Sequence, residues 1–156
     1  MFDDNHFMKC ALCEAQKAFD KDEVPIGAVI VCRDTIIARA HNLVEHLNDV
    51  TAHAEMQAIT AAAGTLGGKY LNDCTLYVTV EPCPMCAGAI VQARIPRVVV
   101  GSMNPKAGCA GSVMNLLQEP GFNHQVELEK GILEEECSTM LKEFFKALRK
   151  RKSLDK

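Results

Sequence analysis

The stretch CTLYVTVEPCPMC, Cys74 to Cys86, constrains this chain more than any other. Its opening run, Cys74–Val80, is apolar and β-branched almost throughout, the mark of a strand buried on both faces. Pro82 biases Glu81 toward an extended conformation. Pro84 suits the first position of a helix, where its missing N–H costs nothing. A buried strand therefore ends at Val80 and a helix starts at about Cys83. Cys83 and Cys86 then lie on one face of the first helical turn. The partial positive charge of a helix N-terminus favours thiolates there by about 0.3–1 kcal/mol.

The rest of the chain alternates in the same way. Phe7, Leu12, Ala15 and Phe19 recur at helical spacing, which predicts an amphipathic helix over His6–Phe19. Two β-rich runs, Ile26–Val31 and Thr35–Ala40, flank Arg33-Asp34 and predict a hairpin. Thr51–Ala63 reads as a helix stopped by Gly64, followed by a loop to Asp73. Pro84–Ala93 is a helix and Arg97–Ser102 a strand. A Gly-rich loop, Asn104–Ser112, leads to a short helix near Val113–Leu117. His124–Lys130 suits an edge strand, and Leu133–Lys152 a long final helix with a basic end. Strands alternating with helices after a hairpin give an α/β layered domain with a mixed sheet.

At 156 residues one domain is expected, 1–156, with roughly 70% of the unfolded chain's surface available for burial. Hydrophobic residues make up 48%, which excludes a disordered chain. No apolar run approaches the roughly 18 residues of a membrane span. MFDDNHFMKC does not read as a secretory signal, so a cytoplasmic protein with no membrane partner is expected. The formal net charge of −3 excludes a general polyanion binder, and any nucleic-acid contact must come from a local patch. The eight cysteines then read as reduced thiols or metal ligands rather than disulfides.

One further stretch, TAHAE, gives the cysteines a partner. Inside a helix, residues two apart point about 200° from each other. His53 and Glu55 converge only if the chain is just entering a helix there. His53, Cys83 and Cys86 supply three ligands of the type zinc takes in tetrahedral sites. A water in the fourth position would have its pKa lowered to roughly 7. Glu55 would stand beside that water as a proton shuttle without binding the metal. The competing arrangement is a closed zinc site with Cys74 or Cys109 as fourth ligand, which leaves the His-x-Glu spacing without a reason. Cys10 and Cys13 repeat the Cys-x-x-Cys spacing inside an amphipathic helix without a histidine partner, and read as core thiols or small apolar fillers.

His-x-Glu followed by Pro-Cys-x-x-Cys is the signature of zinc deaminases acting on nucleobases. Beyond it, EVPIGAVIV, AHN, LYVTVEPCPMCAGAI, RIPRVVVG, AGSVMNLL, GFNH and KGILEEECSTMLKEFFKALRKRK resemble, in order and spacing, the bacterial tRNA adenosine deaminases of the cytidine deaminase superfamily. The resemblance implies a three-layer α/β/α cytidine deaminase-like fold, with a mixed five-stranded sheet and helices on both faces. It implies one zinc ion per subunit, a homodimer, and deamination of adenosine to inosine at the wobble position of a tRNA anticodon stem-loop. It places Asn42 on the purine ring, Ile26 and the backbone around Gly27 in the pocket wall, and the Ala54 N–H beside the substrate. Of Phe144 and Phe145, the resemblance favours Phe145 as the exposed ring that stacks on a splayed base. Arg149, Lys150, Arg151 and Lys152 suit both the helix dipole and RNA phosphates.

One position departs from the family. Where an acidic residue usually precedes the Pro/Ala-Lys pair, this chain has Asn104, before Pro105 and Lys106. The family's acid is expected to accept a hydrogen bond from a ribose hydroxyl; Asn104 accepts one without charge. Two other functions share part of the pattern: a deaminase of a free guanine or cytosine base or nucleoside, and a non-catalytic zinc-stabilised interaction module.

Overall fold

In the computed structural model, which describes residues 2–155, β1 (Gly27–Cys32) turns alternate side chains to two opposite layers. Ala28 and Ile30 join one core, Val29 and Val31 the other. β3 (Cys74–Val80) and β4 (Arg97–Ser102) divide in the same way: Leu76, Val78, Val98 and Val100 against Tyr77 and Val99. That two-residue alternation forces a sheet covered on both sides. With β2 (Thr35–His41) and β5 (Glu127–Lys130), the five strands run in the order β2-β1-β3-β4-β5. β1 pairs antiparallel with β2 and β3, whereas β3, β4 and β5 are mutually parallel.

One layer holds α1 (Asp4–Asp20) and α5 (Glu134–Leu154), through Phe7, Met8, Ala11 and Cys137. The other holds α3 (Ala54–Leu66) and α4 (Pro84–Gln92), through Ala54, Ala58, Ala62, Ala87 and Ile90. This is the three-layer mixed five-stranded arrangement expected from the resemblance. α1 is started by Asp3, whose carboxylate accepts a hydrogen bond from the His6 N–H at 2.9 Å. It is pinned to the sheet by Asp4, which accepts from Tyr77 Oη at 2.7 Å and from both Arg97 guanidinium nitrogens at 2.9 and 2.7 Å.

Alanines on the inner face of α1 let it lie very close to β1. A Cβ on Gly27 would run into Ala11 O, Ala15 N and the Glu14 side chain, mostly backbone that cannot swing away. Gly27→Ala is therefore expected to lower stability by about 1–3 kcal/mol through overpacking. It would be read as a lower urea midpoint at unchanged slope.

Several boundaries differ from the sequence reading. The helix predicted for Thr51–Ala63 runs from Ala54 to Leu66. Gly64 lies inside it on an open face, and the left-handed stop is Gly67 at φ 72°. The short helix predicted near Val113–Leu117 is instead a turn closed by an Ala110–Asn115 bridge, followed by a 3-10 turn at Leu116–Gln118. A four-residue helix, α2 (Val44–Leu47), was not foreseen. Cys10 is half-buried and packs as an apolar filler against the α1 layer's core, whereas Cys13 is exposed and takes no part in it. His6, one helical turn earlier, brings Nε2 to 4.0 Å from Cys10 Sγ.

Candidate metal centre and active site

Two helix N-termini, those of α3 and α4, meet at the carboxyl end of β3. His53 is the residue that caps α3, with extended φ −70° and ψ 154°. Cys83 caps α4 in the same conformation, φ −75° and ψ 174°, with Pro84 at the first helical position. Caps of this kind usually bond back to the helix N–H groups. Here neither side chain does so, and both turn toward each other.

His53 Nδ1 lies 3.6 Å from Cys83 Sγ and 3.5 Å from Cys86 Sγ. Nitrogen and sulfur ligands at ordinary zinc distances in a tetrahedron are separated by about 3.6 Å. The donor set therefore fits a tetrahedral cation in both chemistry and spacing. Among the described residues these three form the cluster that could hold a metal ion. Neither proposed fourth ligand joins it: Cys109 donates to Ala107 O at 3.6 Å, and Cys74 pairs across the sheet with Cys32 at the far end of β3. A hydrogen bond from Cys86 holds the Cys83 thiol down to about 4, while the Cys83 anion and burial push Cys86 up. His53 is raised by its bond to Cys83. Both shifts favour a thiolate at Cys83 beside a protonated His53, whose proton a bound cation would displace.

Glu55 occupies the first turn of α3 and is 3% exposed. Burial pushes its carboxyl up to about 7, and it touches Cys86. His53 and Glu55 thus both stand at the entrance of α3, beside the two cysteines.

A cavity of about 410 Å³ opens beside this end of the sheet, lined by Val24, Ile26, Val80, Met103, Asn104 and Phe145 among others. Val80 leads directly into the Glu81-Pro82-Cys83 segment. Ile26, Asn104 and Phe145 are thus brought together. Phe145 is 39% exposed, whereas Phe144 is 4% exposed and packs on Phe19. Gly27 presents backbone only, its N–H donating to Thr79 Oγ1 at 3.1 Å. The Ala54 N–H lies in the first turn of α3, where no intrahelical partner exists. Asn42 is buried outside the cavity lining and held at both ends: Nδ2 donates to Val24 O at 3.3 Å, and Oδ1 accepts from Val44 N at 3.1 Å.

Asn104 differs most from expectation. Its Oδ1 already accepts from the N–H groups of Lys106 and Ala107 at 3.2 and 3.4 Å, which shapes the loop. The basic run also divides: Arg149 lines a neighbouring groove with Lys106, Lys142 and Phe145, but Arg151 pairs with Asp22 at 2.9 Å.

Three polar side chains that sequence reasoning missed hold the surrounding loops. Glu81, 3% exposed, accepts from the N–H groups of Asn104, Ala110 and Ser112 and from the Ser112 hydroxyl. A Cβ on Gly108 would collide with that carboxylate. Glu23, fully buried, accepts from Glu45 N, His46 N and His46 Nδ1 and fixes α2. Gln57 Nε2 donates to His41 O, Ala52 O and His53 O, tying the start of α3 to the end of β2. Only the glutamate preceding a proline, Glu81, stood at a position a reader of the sequence had reason to inspect.

Comparison with known proteins agrees with this geometry. The MafB19-like deaminase family model matches residues 2–149. The chain is 57% identical to a tRNA-specific adenosine deaminase of Bacillus subtilis (strain 168), covering 97% of this chain and 94% of the relative. It is 53% identical to the tRNA-specific adenosine deaminase of Aquifex aeolicus (strain VF5), covering 92% and 95%. A solved structure from a study of A-to-I editing by tRNA:A34 deaminases at the wobble position superimposes with a TM-score of 0.84 at 46% identity, covering 87% of this chain and 99% of that one. At these identities over nearly the whole length of both chains, this chain belongs to the tRNA-specific adenosine deaminase family, among the MafB19-like deaminases.

Proposed function

We propose that the chain is a zinc-dependent hydrolase that converts adenosine to inosine at the wobble position of a tRNA anticodon, working in the cytoplasm as a homodimer. The observation that carries this reading is the enclosure of Glu55 against a three-donor His53–Cys83–Cys86 set, next to a cavity rimmed by Phe145. His53, Cys83 and Cys86 would hold one zinc ion per subunit. Bound there, it would supply a water acidified to near neutral pH.

The remaining work falls to the chain's own groups. Overall, water oxygen forms a bond to the purine C6, the bond from C6 to the exocyclic nitrogen breaks, and ammonia leaves. Glu55 takes the proton from that water, delivers it to the adjacent ring nitrogen, and carries the next proton to the departing amine. A carboxyl poised near neutrality and sealed from solvent suits such two-way transfer. The Ala54 N–H orients the base and Ile26 and the backbone at Gly27 close the pocket wall, while Asn42 reaches the purine ring only by exchanging one of its bonds to Val24 O and Val44 N for the base. Asn104 presents its amide to the ribose, its carbonyl oxygen being already engaged by the loop.

The RNA itself is held farther out. Lys106, Lys142 and Arg149 border the groove next to Phe145, a local basic patch on a chain of net charge −3. Met56, Ile59, Met85 and Ala89 line an apolar groove between α3 and α4 that a second subunit would cover. Among the described residues no helix is long and apolar enough to cross a membrane.

Stacking on Phe145 predicts that Phe145→Ala raises KM for an anticodon stem-loop by about 5- to 150-fold, the worth of one base–aromatic stack. Zinc content should not change. The reading as a whole is tested by ammonia release from an anticodon stem-loop and from free guanine, cytosine and their nucleosides. Turnover confined to the stem-loop is expected. Turnover confined to free bases or nucleosides would overturn the RNA assignment.

A further inference from the structure

The antiparallel register of β1 and β3 sets Cys32 directly opposite Cys74. Opposed residues in an antiparallel pair point to the same face, with Cα atoms about 4.5–5.5 Å apart. A disulfide needs Cα atoms about 4.4–6.8 Å apart, and the strand pairing meets that spacing. Both thiols are free, and both face the layer of α3 and α4.

The two sulfurs differ in environment. Cys74 is 1% exposed, and burial, with the Cys32 sulfur beside it, pushes its thiol up to about 12. Cys32 is half-buried and adjoins the Arg33-Asp34 turn, where both residues have positive φ. A small oxidant therefore meets Cys32 first. The site lies at the opposite end of β3 from Cys83, so neither sulfur takes part in the proposed reaction.

We propose that Cys32 and Cys74 form a reversible cross-strand disulfide when the protein meets a hydroperoxide. The Cys32 sulfur attacks one peroxide oxygen, the O–O bond breaks, and Cys32 becomes a sulfenic acid while the thiol's proton goes to the departing oxygen, which leaves as water or alcohol. The Cys74 sulfur then attacks Cys32 sulfur, the S–O bond breaks, and the Cys74 proton leaves with the hydroxyl as water. Two sulfurs lose two electrons in total, and the peroxide gains them. The bond closes the segment that carries Asn42, His53 and Glu55, restricting the unfolded chain while leaving the folded sheet in place. In a reducing compartment a thiol would reopen it.

The test uses zinc-loaded protein, in which Cys83 and Cys86 are occupied as ligands. After hydrogen peroxide treatment and alkylation of remaining thiols, peptides are mapped without reduction by mass spectrometry. A Cys32 peptide linked to a Cys74 peptide is expected, with a rise in the thermal midpoint that dithiothreitol reverses. Cys32→Ala should retain parental deamination before oxidation and show neither the link nor the rise. Finding both cysteines fully alkylated after oxidation would overturn the proposal, as would Cys32 recovered only as a sulfinic acid or only in an interchain link. Because the link is read by mapping, its failure leaves the deaminase reading intact.

Discussion

Replacing Glu55 by alanine is expected to slow deamination of an anticodon stem-loop by about 10²–10⁴-fold, the usual worth of a positioned acid–base group. Zinc content should equal that of the parent protein. The expectation follows from where the carboxylate sits. Glu55 is buried at the first turn of α3, two residues beyond His53 but outside the three-donor group. Glu55→Gln keeps the shape and removes the proton exchange, so it should be as inactive as alanine. Undiminished turnover in either variant would remove Glu55 from the mechanism. A loss of zinc alongside the loss of activity would make it a ligand instead.

Cys83→Ser should have the second large effect. Serine cannot supply the thiolate that Cys83 forms so readily, its thiol being held down to about 4 by the hydrogen bond from Cys86. Zinc affinity should fall by more than the roughly 10–100-fold that outer partners of a metal site contribute. Stability should fall with it, because metal binding to the folded chain is linked to folding. Competition with a chromogenic chelator and a thermal melt, each with and without added zinc, measure the two effects. The melting difference between parent and variant should shrink once both are stripped of metal. Parental zinc stoichiometry in Cys83→Ser would exclude Cys83 as a ligand.

The clustering of the donors was legible because it depends on residue type and short spacing. Cys83 and Cys86 needed one helical turn, and Pro84 marked where that turn began. His53 and Glu55 made sense only at a helix entrance, and that is where they lie. The central strands were legible too, since Cys74–Val80 and Arg97–Ser102 are buried on both faces along most of their length and carry no charged residue in their interior.

What sequence hid was non-local. Gly64 looked like a helix stop, but nothing crowds or strains it, and packing of Ala54, Ala58 and Ala62 carries α3 through to Gly67. α2 has too few residues to hold itself together and depends on the buried Glu23, distant in sequence. Glu81 looked like a residue passing between strand and helix, yet it gathers the loop from Asn104 to Ser112 around one carboxylate. Asn104 was read for its chemistry toward a ligand, while its carbonyl oxygen serves the loop. Each of these depends on a partner that only the folded chain brings near.

The central claim is that this arrangement adds water to a tRNA adenosine. It is tested most directly by incubating the zinc-loaded protein with an anticodon stem-loop bearing a single wobble adenosine, in water enriched in oxygen-18. The account predicts inosine at that position carrying the heavy oxygen at C6, with one ammonia released for each inosine formed. Adenosine left unchanged by active, zinc-replete protein, or inosine without the label, would contradict it.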